Sequence, residues 1–451
     1  MLTSALFLML LVGTALLSIM IVRRSGIDIL SVSASGFFVV FYIAVAHLPL
    51  FFLFEHLDAY RVNKGITDQV IIMWMAIYSS TALILASAGM LIASRLPQMS
   101  VIQSHRTIVT PLKGGSKFGL LIAVLACAVA ITLYVQKLPS IPILLLLSDS
   151  GADIAQARSM AGTEFEGRRY LYEIFMKGLA PFVCYASYAT YRFQRGKFLA
   201  VIFSAALVIS IAGAIVTTSK GQLVALLIGL ILVHIQSGAG RVNLRAALIG
   251  AAIVLLPLLA MFYIVFYQGR PISHAAAAMF SRIFSEGASA YYYLETIPHE
   301  LDYLGGRGLP NPGGIFPWEP VSLTITMQNL MFPEFLKLGV QGSMPSVFWA
   351  ELHANWGYLG VVILAPIIGF YIRFWDGITA RFPRTPLTMA LIAWLAVHFS
   401  RMVGRFFLTN HIFDVYLIAV LTAFLILTLM NGNSLLSLRR PPKLESAPIG
   451  G

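Results

Sequence analysis

Apolar residues along the chain gather into eleven long runs, at 3–22, 30–54, 70–93, 118–135, 172–191, 198–216, 221–235, 246–268, 356–374, 386–403 and 412–430. A helix needs about 20 apolar residues to cross the hydrocarbon core of a bilayer, so each run predicts a span. The first run has nothing basic before it, is followed by Arg23 and Arg24, and carries no small-residue cleavage site. It reads as a retained span with the N-terminus outside rather than as a signal peptide.

Composition agrees with the pattern. Of the 451 residues, 58% are hydrophobic and only 11% charged, where soluble domains carry roughly 25% charged residues. This excludes a soluble enzyme, a disordered chain and a coiled coil, and predicts an all-α integral membrane protein of about eleven transmembrane helices. The net charge of +12 is then read as basic cytoplasmic loops rather than as a nucleic-acid surface. Sorting alternate loops bears on this directly. One set holds 17 of the 31 basic residues but only three acids, Asp28, Asp376 and Glu445; the other holds the remaining basic residues with 16 of the 19 acids. The first set is cytoplasmic by the positive-inside rule, which puts the C-terminus inside.

The external side takes the extra length. Segments 136–171 and 269–344 are long, and long connections without spans are usually functional. The second holds Met279, Phe280, Ile283, Phe284 and Tyr291 at near-helical spacing, followed by GGRGLPNPGGIFPWEP. That pattern predicts short surface helices and an irregular cap held by Trp318 and the prolines. The chain thus divides into N-terminal spans over 1–268, a large extracytoplasmic loop over 269–344, C-terminal spans over 345–430 and a basic cytoplasmic tail over 431–451. Cys127 and Cys184 lie in apolar runs and read as buried free thiols. No Cys/His cluster with zinc spacing and no ATP-binding loop is present, so neither metal nor cofactor is expected.

Several cations stand outside against the general bias: Arg158, Arg168 and Arg169 in the first long loop, Lys220 in the turn TTSKGQ, Arg270, Arg282 and Arg307 in the second loop, and Arg401 and Arg405 after the tenth run. Arginine suits bidentate phosphate recognition, and cations at the end of a lipid-facing cavity would suit a pyrophosphate on a lipid tail. The plain alternative is surface ion pairing with the external acids and snorkelling to headgroups. The densest stretch is GSMPSVFWAELHANWGYLGVVILAPIIGFY, residues 342–371. Pro345 can open a helix, Glu351 and Asn355 then share a face, and Gly357, Gly360 and Gly369 permit close helix packing. Glu351 reads either as a general base for a hydroxyl or as a partner that orders an arginine. His353, on another face, is a second candidate base.

Pro345, Ser346, Glu351, Asn355, Gly357 and Gly360 form a pattern that resembles the hallmark of bacterial O-antigen and repeat-unit polymerases, the Wzy-type family, with Glu351 one residue later than usual. Ser219-Lys220-Gly221 is similar to the family's Ser-Arg-Gly turn, with Lys for Arg. Arg282 in SRIFSEG and Arg405 before the last run match positions where the family carries arginines. The resemblance spans roughly the C-terminal 250 residues in order and the whole chain in architecture. It implies a GT-C-type lipid-dependent membrane glycosyltransferase fold in the bacterial inner membrane. The implied activity moves a growing glycan from undecaprenyl diphosphate onto a lipid-linked repeat unit at the external face, inverting and independent of metal. Implied partners are the undecaprenyl-diphosphate-linked oligosaccharide, the bilayer and a chain-length regulator. The same features leave open an O-antigen ligase, although His274, His299 and His353 do not stand in a ligase context, and a transporter of lipid-linked oligosaccharide, although no internal repeat is visible.

Overall fold

The computed structural model describes residues 2–96, 109–138, 165, 168–216, 220–238, 240–242, 244–267, 269–284, 286–309, 311–339, 342–404 and 414–432. Among them the chain is helical, with an isolated antiparallel bridge between Ser31 and Arg241. Eight helices are long and apolar enough to cross a membrane, and Gly221–Ser237 and Val415–Met430 are shorter apolar helices. The run at 172–191 is also helical but interrupted: a π-turn, Ile174–Leu179, leads into Ala180–Gln194. The result is a multi-pass membrane protein in which, among the described residues, eight helices, against the eleven apolar runs, meet the full length and hydropathy.

Proline chemistry explains the interruption. A proline cannot donate to the preceding turn and its ring crowds the carbonyl four residues back. Pro181 stands just beyond one π-turn, and Pro49 stands just beyond another, Ile43–His47. The wider turn opens the ladder where the proline would clash.

The principal helices are α1 (Leu2–Arg24), α2 (Ala34–Phe54), α3 (Ala59–Val62), α4 (Gln69–Ser94), α5 (Gly114–Gln136), α6 (Ala180–Gln194), α7 (Lys197–Val216) and α8 (Lys220–Ser237). They continue as α9 (Leu244–Phe266), α10 (Ile272–Phe284), α11 (Ala290–Thr296), α12 (Leu323–Met331), α13 (Phe348–Thr379), α14 (Pro386–Ser400) and α15 (Val415–Met430). The most extensive packing joins α4 to α13. A Cβ on Gly89 would overlap the carbonyl of Pro366, and one on Gly369 would overlap that of Ala86, so the two backbones touch, as small residues allow between membrane helices. Gly357 serves a different end from Gly369. With φ +65° it breaks α13 together with Trp356, leaving a short helix to Asn355 and a long one beyond. Gly360 lies beneath that break, against Trp356 and the carbonyl of Leu352.

Loop contacts keep the two charge classes apart. Arg241 pairs with Asp28 at 2.7 Å, the Arg384 guanidinium donates to the Gln236 carbonyl, and the Lys113 amide donates to Asn431. All six belong to the set rich in basic residues. At the same end, Asp376 of α13 accepts the backbone N–H groups of Ala34 and Ser35 at 2.8 and 2.9 Å. A carboxylate thereby satisfies the orphan donors that open α2. At the other end, Tyr292 donates to the Lys64 carbonyl and Tyr291 accepts from the Asp68 amide. Cys127 and Cys184 are buried free thiols.

Candidate functional site

Short helices between α9 and α13 cover the second end of the bundle. α11 lies among them, and its adjacent tyrosines point to two different places. On one side is a cavity of about 630 Å³. Its wall is apolar: Phe41 and Val45 from α2, Val224 and Ile228 from α8, Leu255, Leu258 and Phe262 from α9, and Val397 from α14. Its mouth is polar, with Arg61, Lys64, Arg282 and Arg401 as cations, Glu286 as the carboxylate, and Tyr60, Ser289, Tyr292, Gln328 and Ser400 between them. An apolar chamber with a few converging polar groups is the usual form of a ligand site.

The cations are held by aromatic rings and hydrogen bonds. Arg282, on the last turn of α10, donates to the Tyr60 hydroxyl at 2.9 Å and lies 5.5 Å from the Tyr60 ring centre and 5.7 Å from that of Phe262. Arg61 lies 5.6 Å from the same Tyr60 ring, and Lys64 5.4 Å from that of Phe332. Such cation–π contacts orient a guanidinium without neutralising it. Burial pushes the Arg61 guanidinium below its ordinary range. Asp58 and Glu286 oppose that shift, and neighbouring Arg282 adds to it. Burial likewise pushes the Tyr292 hydroxyl up to about 12, with Arg61 opposing.

Glu286 opens a 3-10 turn, Glu286–Ser289, one helical turn beyond Arg282. Its stem lies across Gly404, where a Cβ would overlap the Glu286 Cγ and Cδ, while Gly287 packs on Ala46. Ser289 then donates to the Pro345 carbonyl at 2.9 Å.

On the other side of α11 lies the segment that the sequence singles out. Glu351, His353 and Asn355 are all buried, and none of them lines the cavity. The break after Asn355 exposes helix-end carbonyls, and the loop at 304–308 satisfies them. Leu304 N–H donates to Ala354 O at 2.9 Å, Gly305 N–H to Asn355 O at 2.8 Å, and Gly308 N–H to Asn355 Oδ1 at 3.1 Å. Asn355 Nδ2 returns to the Glu351 carbonyl at 2.9 Å. Both ends of the Asn355 amide are thus spent on the protein itself. His353 Nε2 meets the Ile297 carbonyl at 3.0 Å, and its ring stands edge-on to Tyr78 and Tyr303. Burial, with the nearby Glu351 charge, pushes the Tyr293 hydroxyl well up, so Glu351 faces Tyr293, which donates to Met344 O at 2.8 Å.

The remaining expected residues scatter. Arg282 and Arg401 reach the cavity. Lys220 is the first residue of α8, directly before Gly221 at the cavity wall. Arg169 pairs with Glu173 at 3.0 Å, and Lys177 pairs with the same carboxylate at 2.7 Å, so Arg169 follows the ion-pairing alternative. Arg168 is exposed at the start of that helix, Arg270 is exposed, and Arg307 donates to the Leu304 carbonyl. Arg158 and Arg405 lie outside the described residues. Near Arg401, His398 pairs with Asp414 and stacks on Trp394 at 4.6 Å, while Asp414 also caps α15 through the Leu417 amide. The cap around 311–318 is held by Asn311, which donates to the carbonyls of Phe316 and Trp318, whose rings stack at 4.7 Å. Among the described residues, no three His, Cys, Asp or Glu side chains group as metal ligands.

Arg61, Lys64 and Glu286 were not singled out by sequence reasoning. The usable signals were two cations three apart in a short loop between apolar runs, and a carboxylate four residues after Arg282. Comparison with known proteins finds no matching family model, no matching curated protein and no matching solved structure.

Proposed function

We propose that this protein is a membrane glycosyltransferase of the polysaccharide-polymerase kind. It takes a growing glycan from a lipid-diphosphate carrier such as undecaprenyl diphosphate and passes it to a lipid-linked repeat unit at the external face of the bacterial inner membrane. The observation that carries this reading is the cavity, whose apolar chamber between α2, α8, α9 and α14 ends in four cations. A lipid diphosphate has that shape: a hydrocarbon tail ending in concentrated negative charge.

The chemistry follows from the arrangement. The sugar diphosphate is an activated donor, so the work left to the protein is positioning and charge stabilisation. Arg61, Lys64, Arg282 and Arg401 would neutralise the diphosphate as it leaves, in a chamber whose apolar wall strengthens each interaction. The short helices above would keep water from the anomeric carbon. The sequence resemblance to repeat-unit polymerases points the same way, as do the spans, the large external loop and the cations outside.

The test supplies purified protein in detergent with a short repeat unit on a lipid diphosphate, and products are resolved on a gel. A ladder of increasing length is expected, and Arg282→Ala should reduce it sharply. A single addition to a lipid A core acceptor with no ladder would instead indicate a ligase. Lipid moved across a vesicle with the glycan unchanged in length would indicate a transporter.

A further inference from the structure

The sequence pattern draws attention to Glu351 and His353 as proton acceptors, but neither touches the chamber where the donor would lie. Glu351 faces Tyr293, and His353 is tied to the Ile297 carbonyl within a ring of aromatic side chains. Glu286 does reach the chamber, among the cations. Resting on the transferase function above, we infer that Glu286 is the general base that activates the acceptor hydroxyl.

Three observations converge on Glu286. It lines the cavity together with Arg61, Arg282 and Arg401. Its stem is seated over Gly404, where any side chain would displace it. It opens a turn fixed at its far end by Ser289 on the Pro345 carbonyl and packed by Gly287 on Ala46. The carboxylate is therefore held at a fixed place rather than carried on a free loop, as a base within hydrogen-bond reach of its proton must be. The surrounding cations serve it as well, because they let a carboxylate stand close to a diphosphate that would otherwise repel it.

In the step, the acceptor oxygen forms a bond to the anomeric carbon while its proton passes to Glu286. The bond from that carbon to the diphosphate breaks, and its electron pair leaves with the lipid diphosphate. Glu286 returns the proton to water before the next addition. Attack from the face opposite the leaving group inverts the anomeric centre and needs no covalent glycosyl–enzyme.

The plain alternative is that Glu286 only offsets the charge of Arg61. The two roles predict opposite results for Glu286→Gln. A base lost should lower kcat by about 10²–10⁴-fold while a lipid-diphosphate analogue binds as well as before or better. A counter-ion lost should leave kcat within a few-fold, and that result would overturn the assignment. Glu286→Asp should restore part of kcat, and Gly404→Ala should lower kcat by pushing the carboxylate off its seat. Glu351→Gln, run in parallel, should keep its transfer rate per folded molecule; a loss there with Glu286→Gln active would return the role to Glu351. Absence of a ladder with the unaltered protein would count against the transferase reading itself, whereas a ladder that survives Glu286→Gln would count against the base alone.

Discussion

Tyr292 and Tyr293 are neighbours on α11, yet they serve two regions built in opposite ways. Tyr293 donates to the Met344 carbonyl and lies near Glu351, in a segment whose His353 and Asn355 hydrogen bonds close on the protein's own backbone. Tyr292 looks onto the cavity mouth, where four cations share one carboxylate and Arg282 stays exposed. In the first region the Asn355 amide and His353 Nε2 are spent on the backbone, while His353 Nδ1 stays buried without a hydrogen-bond partner among the described residues; the second lines a cavity with cationic groups. A dense run of polar and small residues in one helix marks the place where the chain needs to be pinned. The cavity proposed to take the ligand is lined by residues spread from Phe41 to Gly404, none close to more than a few others in sequence. Density of sequence signal and position of the cavity are therefore separate properties here.

The sharpest way to break this contrast is Arg282→Ala. Transfer should fall by about 100-fold, the scale of losing one preorganised charge donor, while the thermal midpoint barely moves because the side chain is exposed. Arg282→Lys should recover only part, since a point charge replaces a planar fork. If Arg282→Ala instead melted the protein at unchanged specific activity, the cavity mouth would be scaffolding.

Asn355→Ala probes the other side. Removing the amide strands the Gly308 N–H and frees the broken helix end, at a cost of about 2 kcal/mol. A clear drop in melting temperature is expected with transfer per folded molecule nearly intact. Lost transfer at unchanged stability would place the substrate against Asn355 after all.

A subtler change fills the chamber without touching charge. Leu258→Trp should raise the KM for a long-tailed lipid donor by about tenfold, with less effect on a short-tailed analogue, because apolar pockets discriminate tails by volume. Equal effects on both would mean that the tail lies elsewhere.

The smallest effect concerns Glu295 on α11. Burial, then Glu300 and Asp68, push its carboxyl above the usual glutamate range, so ionisation is penalised in the folded protein. That penalty is absent below the ordinary glutamate range and grows as pH rises through the folded-state value. Glu295→Gln should therefore melt like the unaltered protein in acid and slightly higher near neutrality. A gap that widened on acidification would reverse the sign and refute the assignment.

The helices themselves were legible, because hydropathy acts over a whole run and charge sorts the loops between them. Limits appear where a single residue interacts with something distant in sequence. Pro181 interrupts the run at 172–191 with a π-turn, which window averaging smooths away. Gly357 looked like a packing glycine beside Gly369, but only Gly369 meets another backbone; Gly357 bends α13 because a loop some 50 residues earlier is there to take the exposed carbonyls. Arg282 and Arg401 were singled out as cations at an external boundary, while Arg61, Lys64 and Glu286 gain their meaning only once α2, α10 and α14 are side by side.

α9 lines the chamber and is the least buried of the eight spanning helices. It carries Leu255, Leu258 and Phe262 on the cavity side and Leu256 and Ile264 outward, and only 17% of its spanning window is buried. It packs on α8 and α10, and Pro257 interrupts its ladder halfway along. A chamber wall so exposed, with a proline at its middle, would respond to the membrane around it. A thinner or thicker hydrocarbon layer changes the tilt that such a helix adopts, and with it the width of the space behind. On the proposed function, acyl-chain length and bilayer stiffness would then bear on the rate of transfer, and the lipid composition of the membrane would act on this protein as an effector does.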